Sequence, residues 1–265
     1  MHILKGYTKQ EISWMMYDWA NSAHSVIIVT LLPIFFDTVA GYTADSVSSM
    51  STWGYATSIA MLIVALAAPF LGVFGDIRGM RKKLFSFFML LGVAACAGMA
   101  FTPGMDFTSG PVAAGKVASL ILVLYIVSVI GFDASAIYYD AFLTDVTIED
   151  RMDKVSTMGY GLGYIGGSTI PLLIFLIMNL VGVPMLTCLA FVFGLTAVWW
   201  LAFSLPLLKN CEQTSGKPYE KGDVARSIKG VGTTIKEIIA NKPMLIYILS
   251  YFCLLYTSDA ADDKA

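Results

Sequence analysis

Long stretches without charge alternate with short polar segments along this chain. No Asp, Glu, Lys or Arg occurs between Asp45 and Asp76, between Lys83 and Asp106, or between Lys116 and Asp133. About 20 apolar residues cross a ~30 Å hydrocarbon core as a helix, so runs of this length predict membrane spans. The run between Lys154 and Lys209 holds 54 uncharged residues. That is too long for one span at ~1.5 Å per residue. The Gly and Pro of Val181–Pro184, "VGVP", predict a turn that divides it. The expected spans are 14–37, 52–75, 84–103, 117–141, 156–180 and 185–207.

Beyond the sixth span the pattern changes. Residues 209–242 are polar, and Val224, Ile228, Val231, Ile235, Ile238 and Ile239 recur there near helical spacing, with Arg226, Lys229 and Lys236 between them. This predicts an amphipathic helix on an anionic membrane surface. An apolar stretch, 243–256, starts like a seventh span but is too short to cross unaided. Residues 257–265, "TSDAADDKA", resemble nothing before them and are expected to be a non-native tail. The expected organisation is therefore a six-helix bundle over 1–208, a cytoplasmic linker over 209–242, a truncated seventh helix over 243–256, and that tail.

Composition agrees with the pattern. The chain is 57% hydrophobic and 14% charged, against about a quarter charged in soluble domains. Charge distribution adds an orientation. With the N-terminus cytoplasmic, the inner segments hold fifteen Lys and Arg residues and the outer loops only Lys116. The positive-inside rule then predicts a multi-pass protein of the cell membrane with its N-terminus inside. A net charge of −2 gives no reason to expect nucleic acid as a partner. Cys96, Cys188, Cys211 and Cys253 are scattered without a CxxC, so neither metal nor disulfide chemistry is expected.

Polar groups inside the spans are the candidates for function, because an ionisable side chain near a helix centre costs ~2.5–3.5 kcal/mol on insertion scales. The first span opens with "YDWANSAH". On a helical wheel Asp18, Asn21, Ser22 and Ser25 share one arc, and His24 flanks it. Measured from Trp14, Asn21 lies ~10 Å deep and His24 ~15 Å. Asp18 is open to two readings, an interfacial residue or a member of a solute path. His24 is either a helix–helix hydrogen bond or a proton carrier.

The fourth span carries a matching set, "GFDASAIYYDAFLTD", in which Asp133 and Asp140 share a face beside Tyr138 and Tyr139. Asp133 is expected at the depth of Asn21, one turn from His24, and is the best candidate for proton coupling. Asp140 and Asp145 are expected at the interface or cytoplasmic end, where structural pairing with Arg151 or Lys154 is the default reading.

Two glycine patterns need separate readings. "GYGLGYIGG" contains Gly161, Gly163 and Gly166 in the order G-x-G-x-x-G, but it lies inside an uncharged span without a strand–turn–helix unit, so a dinucleotide site is rejected. Gly159, Gly163 and Gly167 recur every fourth residue and predict a close helix–helix approach. Between the second and third spans, "GVFGDIRGMRKK" places Gly72, Asp76, Gly79 and Arg81 in a compact cytoplasmic turn.

That turn resembles the signature loop of the major facilitator superfamily, with Ile77 and Met80 where basic residues are usual. "YDWANSAHSVIIVTLLPIFF" and "DAFLTDVTIEDRMDKVSTMGYGLGYIGG" together resemble the transporters related to the fungal vacuolar amino-acid effluxer of autophagy and its bacterial homologues. Asp140 stands where those proteins carry Asn, and Thr144 where they carry Pro. The resemblance implies an all-α integral membrane fold, of which this chain holds the N-terminal six-helix half of twelve plus the linker and the start of helix seven. It further implies alternating-access transport of a small polar solute, an amino acid or similar metabolite, with helices one and four lining the cavity. Proton coupling through Asp133, Asp18 or His24 is the expected energy source, no cofactor is called for, and the cytoplasmic turn would gate the path. Bilayer lipid, the solute and protons are the expected partners. The competing reading is a non-transporting sensor or scaffold on a transporter-like fold; an enzyme is disfavoured, since His24 is the only intramembrane histidine.

Overall fold

The computed structural model describes residues 4–43, 49–216, 218, 223–250 and 253. The described residues form helices α1 (Lys9–Ala40), α2 (Ser49–Gly75), α3 (Arg81–Met99), α4 (Pro111–Val146), α5 (Glu149–Leu162), α6 (Thr169–Leu180), α7 (Met185–Asn210) and α8 (Asp223–Ala240). A π-helical segment, Gly163–Ser168, joins α5 to α6, so Glu149–Leu180 runs as one helical span. Among the described residues, six helical segments are long and apolar enough to cross a membrane. Each predicted span falls within one of them, and the helices extend beyond the apolar stretches into polar residues at their ends.

Local chemistry sets these limits. Thr8 starts α1 with a reciprocal cap: its hydroxyl accepts from the Glu11 amide at 3.1 Å, and the Glu11 carboxylate accepts from the Thr8 amide at 2.7 Å. Pro111 opens α4 in its first turn, where a missing N–H costs nothing. Gly79, at φ +79°, makes the left-handed step that lets α3 turn back after α2.

Packing in lipid depends on close approach and on satisfied polar groups, because apolar side chains gain little by leaving apolar lipid. Helices α3 and α4 cross at Gly92 and Gly131, where a Cβ on Gly131 would stand 2.5 Å from the Gly92 nitrogen. Around that crossing, α1, α4 and α7 enclose an aromatic core. Trp14 stacks on Tyr139 with centroids 4.3 Å apart. Its indole also donates to the Tyr139 carbonyl at 2.9 Å. Tyr17 bonds Ser135 at 2.8 Å and receives the Trp200 indole at 3.3 Å. In contrast, α2 buries only Ala56, Ala60 and Gly75 along its length.

Two compact units are resolved, 1–218 and 219–265. The first therefore extends ten residues past the expected end of the bundle at 208. The reason is that residues 211–216 are not a free linker but a strap bonded to the bundle, as described below. In the second unit, α8 occupies the polar segment, with Val231 and Ile238 half-buried and Lys236 and Ile239 exposed. Residues 242–250 are helical. The tail expected over 257–265 lies outside the described residues.

Candidate functional site

Helices α1 and α4 run antiparallel in constant register, through the contacts Trp14 with Tyr139, Tyr17 with Ser135 and His24 with Ser128. This register places Asp133 opposite Trp19, not opposite Asn21 as expected. The difference is two residues, about 3 Å along the helix. It brings Asp133 to within one residue of the level of Asp18, so two carboxylates sit at nearly the same height. Both are half-buried. Asp133 is two residues from Ser135, about 200° around the helix, so it does not share the face of α4 that meets α1. The Oδ2 of Asp133 is enclosed and has no hydrogen-bond partner among the described residues.

Asp18 points elsewhere, toward the glycines of the fifth span. A Cβ on Gly159 would stand 2.6 Å from Asp18 Oδ2, and one on Gly163 would stand 2.5 Å from Ser22 Oγ. At Gly167 a Cβ would meet the Trp19 carbonyl oxygen at 2.4 Å, and at Gly166 it would enter the Trp19 ring. The polar face of α1 and the glycine face of α5 and the π segment are thus one interface. Ser168 strengthens it by donating to the Ser22 carbonyl at 3.2 Å. The Tyr139 hydroxyl is enclosed and stands beside the Asp18 carboxylate.

The remaining predicted residues separate. His24 is 2% exposed, bonded to Ser128 at 3.2 Å and stacked on Phe132 at 4.7 Å, with its Nδ1 enclosed and unpartnered among the described residues. Asn21 is buried, Ser25 is half-buried, and Asp140 is exposed. The Tyr138 hydroxyl donates to the Leu71 carbonyl at 3.0 Å, tying α4 to α2.

At the face that carries the N-terminus, the α2–α3 turn is held by partners the sequence did not suggest. Asp76 is exposed, with 84% of its side-chain surface free, and reaches Arg81 only at 3.9 Å. Arg81 pairs instead with Asp145, whose side chain is fully covered, and donates to the Ala141 carbonyl at 2.9 Å. Asp145 was expected to pair with Arg151 or Lys154. Arg151 is occupied by Glu11, through its Nε at 2.9 Å and an Nη at 2.8 Å. Among the described residues, nothing lies within 4 Å of a Cβ on Gly72, so the turn's geometric demand falls on Gly79.

The strap completes this end. Gln213 accepts from the Gly79 amide at 2.8 Å and the Arg81 amide at 3.3 Å, and donates to the Gly75 carbonyl at 3.1 Å. Asp145 Oδ1 accepts from the amides and hydroxyls of both Thr214 and Ser215, at 2.8–3.1 Å. Ser215 also receives Arg81 at 3.2 Å. Glu11 was readable in the sequence as the end of the T-x-x-E capping signal beginning at Thr8. Gln213 and Ser215 lie in an irregular segment whose composition carries no such signal.

The six apolar helical spans among the described residues, with a Gly–Asp–Gly–Arg turn bound between the second and third, are consistent with the six-helix half of a major facilitator fold, as the following likenesses show. The vacuole effluxer Atg22-like family model matches residues 43–150 and 144–260. The chain belongs to that family. It is also 38% identical over 258 residues to a Bacillus subtilis (strain 168) protein described as an uncharacterized MFS-type transporter, YxiO. The match covers 94% of this chain and 58% of that relative, so the chain spans little more than half of the relative's length.

Proposed function

We propose that the full-length protein is a secondary active transporter that moves a small polar solute, an amino acid or similar metabolite, by alternating access, with protons as the coupling ion. The observation that carries this reading is the pair of half-buried carboxylates, Asp18 and Asp133, at one level within the spans. An intramembrane carboxylate is costly unless it is used, and the enclosed Oδ2 of Asp133 has no structural partner among the described residues. Asp133 is assigned the coupling role. Asp18, against the Gly159 backbone, is assigned to the moving contact between α1 and α5. Asn21, Ser25 and Asp140 extend the polar path, and Tyr138 fixes α2 against it. His24, bonded and stacked, holds α1 to α4. The Gly72–Arg81 turn with its strap is the gate at the N-terminal face.

The family match supports a transporter, and the Lys and Arg distribution supports a cell-membrane protein with its N-terminus inside. Twelve helices in two halves would enclose the cavity. The test is flux in proteoliposomes containing the full-length protein. A pH gradient should drive amino-acid movement in the wild type, and Asp133→Asn should retain solute exchange while losing gradient-driven accumulation. Accumulation unchanged in Asp133→Asn would sink the coupling role; no flux for any solute would sink transport itself.

A further inference from the structure

At the face opposite the N-terminus, α1 and α2 leave a groove of about 310 Å³ lined by Pro33, Ile34, Phe36, Asp37, Met50 and Trp53. Its one charged lining residue is Asp37, an exposed carboxylate with no cation beside it among the described residues. Asp37 occupies the last turn of α1, which contains no basic residue. The helix macrodipole places partial negative charge at that end, and a cation is the favourable companion there. Asp37 has no ion-pair partner among the described residues. The Ser49 hydroxyl donates to it, which orients the carboxylate without neutralising it.

The other walls suit the same kind of ligand. Trp53 packs against Phe36 at 5.6 Å and against Tyr125 at 4.2 Å. Tyr125 is in turn held by Thr57 at 3.1 Å, so the indole is fixed from behind. Indole and phenyl faces attract cations through the ring quadrupole, most strongly where water is excluded. Among the described residues the segments at this face carry Asp37 and Asp106 against Lys116, a balance that favours cations over anions. The volume sits at the small end of the ~300–1,000 Å³ typical of ligand pockets.

We propose that this groove is a binding site for an organic ammonium group, seated between the Asp37 carboxylate and the Trp53 ring at the mouth of the path. The proposal rests on the transport reading for its place in a cycle, but binding itself can be measured without flux. Choline and its neutral isostere 3,3-dimethyl-1-butanol are the probes, titrated calorimetrically into the purified full-length protein.

Choline should bind at least tenfold more tightly than the neutral alcohol. Asp37→Asn, nearly isosteric, should weaken choline at least tenfold. Trp53→Leu should do likewise, while Asp106→Asn, which removes one charge from the same face, should stay within twofold. Each variant is checked by monodispersity and thermal midpoint. Should Trp53→Leu fail to fold, the contrast of Asp37→Asn with Asp106→Asn decides the matter. Equal binding of the two probes, no choline binding, or unchanged binding in Asp37→Asn each overturns the proposal. Loss of choline discrimination with solute flux intact removes the groove alone. Choline binding that follows these expectations without flux for any solute removes the transport reading alone.

Discussion

The Asp18 carboxylate lies against Gly159, so closely that a Cβ at that glycine would stand 2.6 Å from Asp18 Oδ2. A charged group in the first span thus depends on the absence of a side chain in the fifth. Ser22 and Gly163 repeat the relation one turn further along each helix, with 2.5 Å to the corresponding Cβ position. Where a glycine carries a polar neighbour in this way, substitution tests packing and polar placement at once.

The glycines of this segment should therefore differ sharply when changed to alanine. At Gly161 no described residue lies within 4 Å of the Cβ position. Alanine there should be neutral or stabilise by about 0.5–1 kcal/mol through helix propensity. At Gly167 the obstacle is the Trp19 carbonyl at 2.4 Å, which is backbone and cannot rotate away. Overpacking of this kind costs about 1–3 kcal/mol. Thermal midpoints in detergent should fall for Gly167→Ala and hold for Gly161→Ala. Equal midpoints for the two would mean that α5 and α1 do not meet along this face.

Arg81 and Asp145 form the most enclosed ion pair among the described residues, with side-chain exposures of 6% and 0%. Removing one partner of a buried pair strands the other and costs about 3–5 kcal/mol. Arg81→Ala should accordingly destabilise the bundle severely. Arg81→Lys should rescue little, because the guanidinium also serves Ala141 and Ser215. Denaturation of the three proteins compares them directly. Lysine restoring wild-type stability would show that charge alone matters at this position.

How much of this was legible beforehand differs by element. The six spans were, because apolar length is dictated by the bilayer and needs no tertiary information. The glycine face was also legible as a contact surface, since four-residue spacing fixes one side of a helix. Its partner was not: nothing in "GYGLGYIGG" names Asp18 or Ser22, because the pairing depends on how α1 and α5 cross. The carboxylates illustrate the same limit. Asp145 could reach several cations by sequence distance, and the nearest in sequence, Arg151, was the wrong one. Glu11 claims Arg151 across 140 positions, a contact set by how α1 packs alongside α5. Asp133 was misplaced by about 3 Å for a related reason: depth counted from an assumed membrane boundary carries the error of that boundary.

The strap should behave as part of the bundle. Gln213→Ala deletes the acceptor for two amides and the donor to the Gly75 carbonyl. Groups left without partners cost about 1–3 kcal/mol where they are shielded from water. Hydrogen exchange at the Gly79 amide should rise in Gln213→Ala, and proteolysis within 211–216 should quicken. Exchange at residues of the α1–α4 core should not change. Wild-type protection at Gly79 in the variant would remove Gln213 from the architecture of the turn.

The Glu11–Arg151 pair binds the start of α1 to the start of α5 and should show direct energetic coupling. Glu11 is 1% exposed and bonds Arg151 through two oxygens, with Thr147 donating to the first of them at 2.7 Å. A double-mutant cycle with Glu11→Gln and Arg151→Gln should return a coupling of about 0.5–3 kcal/mol. Glu11→Gln should cost more than Arg151→Gln. It degrades the N-terminal cap of α1 and the acceptor for Thr147 besides the ion pair, whereas the Arg151 side chain is 33% exposed and can be partly rehydrated. The check is chemical denaturation of the four proteins at low and high salt. The covered geometry predicts that coupling survives salt that would screen an exposed pair. Additive single-mutant effects would show that the two residues are neighbours without being partners.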